Sequence, residues 1–380
     1  MTNIFTKTVC LVAAATLGLM APGQSTWAAE ADTYNVRVDL TSRSLADRRT
    51  GAQAGLRAVL TRLTGQLDLP SSPALRRALN TPEDYYTRFR YLRTQRYDDL
   101  GTPIVVLALR FSPTAVRDLM SAAQLPLWTL NRPSVVAWVS VNGPGGATLI
   151  NDPKHPVIAT LRKRAKFRGL PLVLPALDAQ DLSLVSTRDI ARPNEAKLLG
   201  ASKRYGGQMV LAGRAEQIDT DNWRVRWTSW VDGNPQQLSL NGSPSNVAFA
   251  PVDRVTDALV SRFTVAGGAL GTLRLQVSAI DSVADYGGVL RYLEGLSYVD
   301  NVTLVGVNSG GLELDVATSS SAAKFMELLA IESRLQQAPS RFDPRGGLGS
   351  GRGGVSSSNP TPEPVSVPFA SQVLRVAWQG

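Results

Sequence analysis

QMVLAGRAEQIDTDNWRVRWTSWVDGNPQQLSL, residues 208–240, is the stretch whose reading decides the fold. Residues 208–215, 223–231 and 236–240 read as strands, the first two rich in aliphatic, aromatic or β-branched side chains. Asp219-Thr220-Asp221-Asn222 and Asp232-Gly233-Asn234-Pro235 carry turn chemistry between them, so a three-stranded meander is predicted. Upstream lie an apolar strand at 134–141, ended by Asn142-Gly143-Pro144-Gly145-Gly146, a helix at 157–168, a short buried strand at 171–174 and a helix at 195–205. Downstream, Val255, Leu259 and Phe263 fall at helical spacing in a closing helix at 252–263. The order β-α-β-α-β-β-β-α over residues 132–268 predicts a mixed sheet with helices packed on it.

The flanks read the same way. In 34–131, Tyr34-Asn35-Val36-Arg37-Val38-Asp39-Leu40 alternates as a half-buried strand does. A helix follows with Leu56, Val59, Leu60 and Leu63 on one face, ending at Gly65. A short helix at 74–79 precedes a hairpin of strands 86–97 and 104–111, and a helix over 114–123 starts behind Ser112 and Pro113. In 270–336 the order is β-α-β-β-α, the front of a ferredoxin-like unit that requires one more strand. Residues 337–367 are rich in Gly, Ser and Pro and read as a linker. The segment 368–380, with Val373-Leu374-Arg375-Val376-Ala377-Trp378, is either the missing strand or a frayed tail. The fold class expected is α+β: two or three small α/β-sandwich modules with mixed sheets, the last ferredoxin-like.

Residues 1–29 carry one positive charge at Lys7 and an apolar run at 8–20 too short to span a bilayer, and small residues follow at Thr26, Ala28, Ala29 and Ala31. They read as a cleaved signal peptide, and a periplasmic location is expected. The single cysteine, Cys10, falls inside that segment, and the chain has one histidine. A typical structural zinc site therefore lacks its ligands, and no cofactor is expected. Lys and Arg outnumber Asp and Glu, 40 to 31. In an exported protein that excess suits acidic proteins or lipid head groups, with nucleic acid not expected as a partner.

Six patterns carry candidate chemistry. Arg162, Lys163, Arg164, Lys166 and Arg168 crowd one predicted helix, with Arg164 and Arg168 sharing a face. They form either an anion-binding face or a solvated one whose long stems cover sheet edges. Trp128, Arg132 and Trp138 mark the junction of the first two regions, where a guanidinium over an indole can lock domains or edge a partner surface. Residues 85–93 interleave tyrosine and phenylalanine with Arg88, Arg90 and Arg93: a stacking surface, or an amphipathic strand with its aromatics inward. Ser321-Ala322-Ala323-Lys324 matches S-x-x-K without the accompanying K-T-G, and Ser321 also suits a helix N-cap. His155, between two prolines, is the only base available to a Ser-His-Asp relay, yet no serine at a strand-to-helix elbow accompanies it. Arg345-Gly346-Gly347 and Arg352-Gly353-Gly354 in the linker are two RGG-like copies, read as spacer.

The helix at 45–65, the strand at 88–91, Phe111-x-x-x-Ala115-Val116 running into Leu125-Pro126-Leu127-Trp128, and Arg132-Pro133 with Trp138 resemble the bacterial domain of unknown function 2066 family. Asp285-Tyr286 with Leu290, Leu293 and Val299 is similar to that family's final portion. The resemblance implies an exported envelope protein of unassigned activity and supplies no catalytic residues. The middle region's element order also looks like the amino-terminal domain of the Tol system's periplasmic propeller protein. The function expected is therefore a non-catalytic periplasmic adaptor acting on envelope proteins, with weak contact to anionic membrane surfaces. The alternative is a periplasmic hydrolase of cell-wall or lipid material using His155 and Ser321.

Overall fold

The computed structural model describes residues 33–97, 101–129, 132–231, 233–265, 267, 270–308, 310–332, 334–337 and 373–379. The fold is α+β, built on several separate sheets. The first is formed by β1 (Asn35–Leu40), β2 (Tyr86–Tyr97) and β3 (Pro103–Phe111), all antiparallel in the order β1-β3-β2. Helix α1 (Leu45–Thr64) covers one face, capped by the Ser44 hydroxyl accepting from the Asp47 N–H and ended by Gly65 in the left-handed region. Its leucines 56, 60 and 63 are fully buried, each worth about 2 kcal/mol relative to exposure. A Cβ at Gly55 would meet Leu109 Cδ1 at 2.9 Å, so the absent side chain lets α1 lie close on the sheet. Helices α2 (Pro73–Asn80) and α3 (Pro113–Ala122) close this core.

The chain leaves through β4 (Leu127–Trp128) and enters the middle sheet at β5 (Ser134–Gly143), which forms a hairpin with β6 (Gly146–Ile150). The turn residues 142–146 were expected to end a strand; they join two. Helix α4 (Pro156–Arg168) leads to the short strand β7 (Leu172–Val173), paired with β5. Three short helices follow, α5 (Ala179–Leu184), α6 (Thr187–Ala191) and α7 (Glu195–Ser202), the first two unforeseen from the sequence. The meander then appears as β8 (Gly207–Asp219), β9 (Asn222–Val231) and β10 (Asn234–Gly242), and α8 (Pro244–Phe263) returns across it. The order is β10-β9-β8-β5-β6, with β8 parallel to β5. Strand β5 is buried on both faces: Val135, Ala137 and Val139 look toward α4 and α8, and Val136 and Trp138 toward α7. The chain exits through β11 (Thr264–Val265), which pairs with β4.

The last sheet holds β12 (Gly271–Ser278), β13 (Val299–Asn308), β14 (Gly311–Thr318), β15 (Leu335–Gln337) and β16 (Val373–Trp378) in the order β13-β14-β12-β16-β15. Helices α9 (Val283–Glu294) and α10 (Ala322–Glu332) are its crossovers. Two expectations change here. The helix read as running to 336 ends at Glu332, and residues 335–337, partly assigned to the linker, are a strand. The C-terminal strand joins the sheet, but as an addition to the ferredoxin-like plan. β16 is parallel to β12 and antiparallel to β15, whereas β14 is antiparallel to β12. β15 therefore runs with β14, as a strand–helix–strand crossover requires, and β16 lies between β12 and β15. The signal segment 1–29 with Cys10, residues 338–367 of the linker and both RGG-like copies fall outside the described residues.

Candidate functional site

The first two sheets meet where α1 and α4 end. Both helices stop at a glycine in the left-handed region, Gly65 and Gly169. At Gly65 a Cβ would stand 2.1 Å from Val260 Cγ2 and 2.8 Å from Trp128 Cε3, so only glycine allows this approach. Trp128 is fully buried, with the Arg132 guanidinium 4.0 Å over its ring. Arg132 donates to the carbonyls of Thr129 (2.9 Å), Gly169 (2.6 Å), Arg62 (2.7 Å) and Trp128 (3.1 Å). It thereby joins the carbonyl-rich ends of two helices, where a cation is favoured. Burial pushes this guanidinium down to about 9, with Tyr34 opposing, so it stays charged at neutral pH. Trp128 and Arg132 thus form an interdomain lock. Trp138 does not belong with them: it is buried in the core beneath α7, donating from Nε1 to Ser202 Oγ at 2.9 Å, and offers no partner surface.

The five basic residues of α4 divide into three groups. Arg164 forks onto Asp253 at 2.8 and 2.7 Å, packed over Phe249. Arg168, with no exposed side-chain surface, donates to Asp253 (2.7 Å), Asp257 (2.5 Å) and the Gly65 carbonyl (2.8 Å). These two are structural ion pairs, which removes them from the anion-binding face read from the sequence. Arg162 is exposed outside the cleft described next. Lys163 and Lys166 line that cleft, together with charged residues of the first sheet.

A cleft of about 930 Å³ runs from α4 across the uncovered face of the first sheet. Strand alternation sets which side chains enter it. Val36, Leu107 and Leu109 point at α1, so Arg37, Ala108 and Arg110 point away. On β2, Arg88 lies opposite Arg110, and Arg90 opposite Ala108, which itself faces Arg37. Four arginines therefore share one face over three strands, two of them directly opposed, an arrangement that costs stability without a counter-ion. Asp39 is the acid among the described lining residues, and Arg96 holds both its oxygens at 2.9 and 2.6 Å. Among the described residues no carboxylate lies within ion-pair distance of Arg37, Arg88, Arg90, Arg110 or Lys163. Low-dielectric walls and like charges in one concavity focus a positive potential. The sequence displays these arginines but not their convergence, because that needs the register of β1, β3 and β2. Phe89 and Tyr91 of β2 lie opposite Leu109 and Leu107 and so turn toward α1, their rings edge to face, with Arg48 4.8 Å over Phe89 and Arg43 5.6 Å over Tyr91. Phe89 also lines the cleft, but the cation over its ring is Arg48 of α1 rather than a cleft arginine.

The other candidates have local roles. His155 precedes α4 and packs edge-on against Trp223 at 4.9 Å; burial lowers its pKa, with Asp152 opposing. The Ser321 hydroxyl accepts from the Lys324 N–H, and Lys324 Nζ is engaged by the Arg262 carbonyl and Glu327. Asp219 accepts from Asp221 and Asn222 within the β8–β9 turn. Among the described residues no three His, Cys, Asp or Glu side chains gather as a metal-ligand set, and no helix is long and apolar enough to cross a membrane.

Residues 28–129 match the family described as Domain of unknown function (DUF8605). This overturns the resemblance to the domain of unknown function 2066 family: the motifs quoted for it around the first helix and Trp128 fall in a stretch matched by a different family. The match contains Arg37, Arg88, Arg90 and Arg110 and stops before α4. No curated protein matches the chain.

Proposed function

We propose that this chain is a non-catalytic adaptor of the cell envelope that holds an acidic partner protein in the cleft between its first sheet and α4. The observation that carries the reading is the set Arg37, Arg88, Arg90 and Arg110 on one sheet face, with Asp39 already held by Arg96. Clustering like charge costs folding energy, and a bound anion recovers it. Lys163 and Lys166 extend the same field. The leader-like residues 1–29 support export to the periplasm, and fractionation for a shortened chain tests that part. The hydrolase alternative needs His155 and Ser321; a double H155A/S321A variant that fully complements a deletion removes it.

The direct test uses poly-L-glutamate as probe in a fluorescence-anisotropy titration. Binding should weaken steeply between low and moderate salt. The variant R37Q/R88Q/R90Q/R110Q should lose roughly tenfold or more in affinity while its thermal melt is retained. Equal binding by the variant overturns the cleft as the site.

A further inference from the structure

We infer that the partner enters this cleft as an extended acidic segment that adds a strand to the free edge of β1; the inference rests on the cleft being the binding site. The Tyr34 carbonyl accepts from the Phe111 N–H at 3.0 Å, so Tyr34, Val36, Val38 and Leu40 direct their backbone groups at β3. Alternation then turns the N–H and C=O of Asn35, Arg37 and Asp39 the other way. The Asn35 carbonyl agrees: it accepts from Arg62 Nη1 of α1 at 2.9 Å, across that open edge. For Arg37 and Asp39 the outward groups meet no partner among the described residues. An edge with unsatisfied groups is a template for pairing.

Helix α1 has left room for the added strand. Its N-terminal half lies by Leu40, since a Cβ at Gly51 would stand 2.8 Å from Leu40 Cδ2, and its C-terminal end lies by Asn35 through Arg62. Helix and strand thus run in opposite directions. One helical step of four residues advances about 6 Å and two strand residues about 6.6 Å, so the steps match. With Arg62 beside Asn35, Ala58 stands beside Arg37 and Ala54 beside Asp39. Both alanines line the cleft. Arg62 occupies the edge only at Thr33 and Asn35; beside Arg37 and Asp39 the described residues of that helix row are alanines, and an incoming strand meets methyl groups there. On its other side it meets Arg37, with Lys163 and Lys166 lining the same cleft. The geometry selects a segment with small apolar residues at alternate positions and carboxylates between them, bound through its own main chain. An anionic lipid or phosphate polymer uses the cations but has no main chain to offer the edge.

The test uses the full-length chain and an eight-residue peptide alternating Glu and Val, with N-methyl groups on the Glu residues in one version and on the Val residues in another. In strand addition one set of N–H groups faces β1 and the other faces solvent. Affinity should fall roughly tenfold when the facing set is methylated and stay nearly unchanged for the other. Antiparallel addition places the loss in the Glu set, parallel addition in the Val set. A scrambled peptide with its glutamates contiguous should also bind more weakly. Equal affinity for all versions, abolished in the R37Q/R88Q/R90Q/R110Q variant, overturns strand addition and leaves the basic-cleft adaptor standing. Binding of phosphatidylglycerol vesicles or polyphosphate with no peptide bound overturns both.

Discussion

Arg164 and Arg168 on α4, and Arg88 and Arg110 on the first sheet, are one side-chain chemistry in opposite surroundings. The α4 pair is enclosed by Asp253 and Asp257 of α8, with fork geometry and short contacts. The sheet pair stands directly opposed, with no carboxylate among the described residues to separate the charges. Arginine density therefore says little about role: the helix richest in basic residues spends two of them on architecture, while strand arginines that look like ordinary solvated positions converge on an open concavity. The difference lies in whether the fold delivers an acid to within a few ångströms.

The contrast can be broken most forcefully at Arg168. Arg168→Met leaves Asp257, part of Asp253 and the Gly65 carbonyl without their donor, and about 3 kcal/mol should be lost in a denaturant melt. A loss below the error of the measurement ends the claim that this pair is structural. Arg132→Ala comes next. It orphans carbonyls at the ends of α1 and α4 and uncovers the Trp128 indole, for about 2 kcal/mol. Protease cutting near residues 129–133 should rise with it.

A smaller effect comes from a surface pair of the same type. Arg204 holds the Asp178 carboxyl down at about 2, below its ordinary 3.8. Because the folded pKa is the lower one, this contribution is complete above pH 3.8 and disappears as pH falls toward 2. Asp178→Asn should flatten the fall of the melting temperature across that window, and an unchanged slope would remove Asp178 as a cause. The smallest effect belongs to the cleft. Substituting Arg37, Arg88, Arg90 and Arg110 singly by Gln should change stability by no more than about 0.5 kcal/mol each, in the stabilising direction at low salt. A clear destabilisation would mean that these arginines have structural partners and would dissolve the comparison.

Much of the secondary structure was legible because periodicity is local. The alternation of residues 34–40 and the leucine spacing of α1 are written within single elements, and Gly65 ends the helix as a C-terminal glycine does. The pairing of Arg164 with Arg168 on one helix face was legible for the same reason. What escaped was partnership across the chain. Trp138 sits ten residues beyond Trp128 and looks like its companion, yet strand alternation in β5 turns it to the opposite face of the sheet. The missing strand of the last unit was sought at the C-terminus, but the crossover from β14 through α10 delivers residues 335–337 in the required direction, and β16 is inserted beside them.

By itself the sequence determined an α+β chain of sheet-and-helix modules, and where its positive charges lie along the backbone, since both follow from patterns a few residues long. Only the tertiary structure decided which charges are neutralised. Arg168 finds Asp253 and Asp257 from 85 and 89 residues away, while Arg88 and Arg110 meet each other. Electrostatic energy depends on separation in space, and that separation is set by strand register and helix packing rather than by distance along the chain.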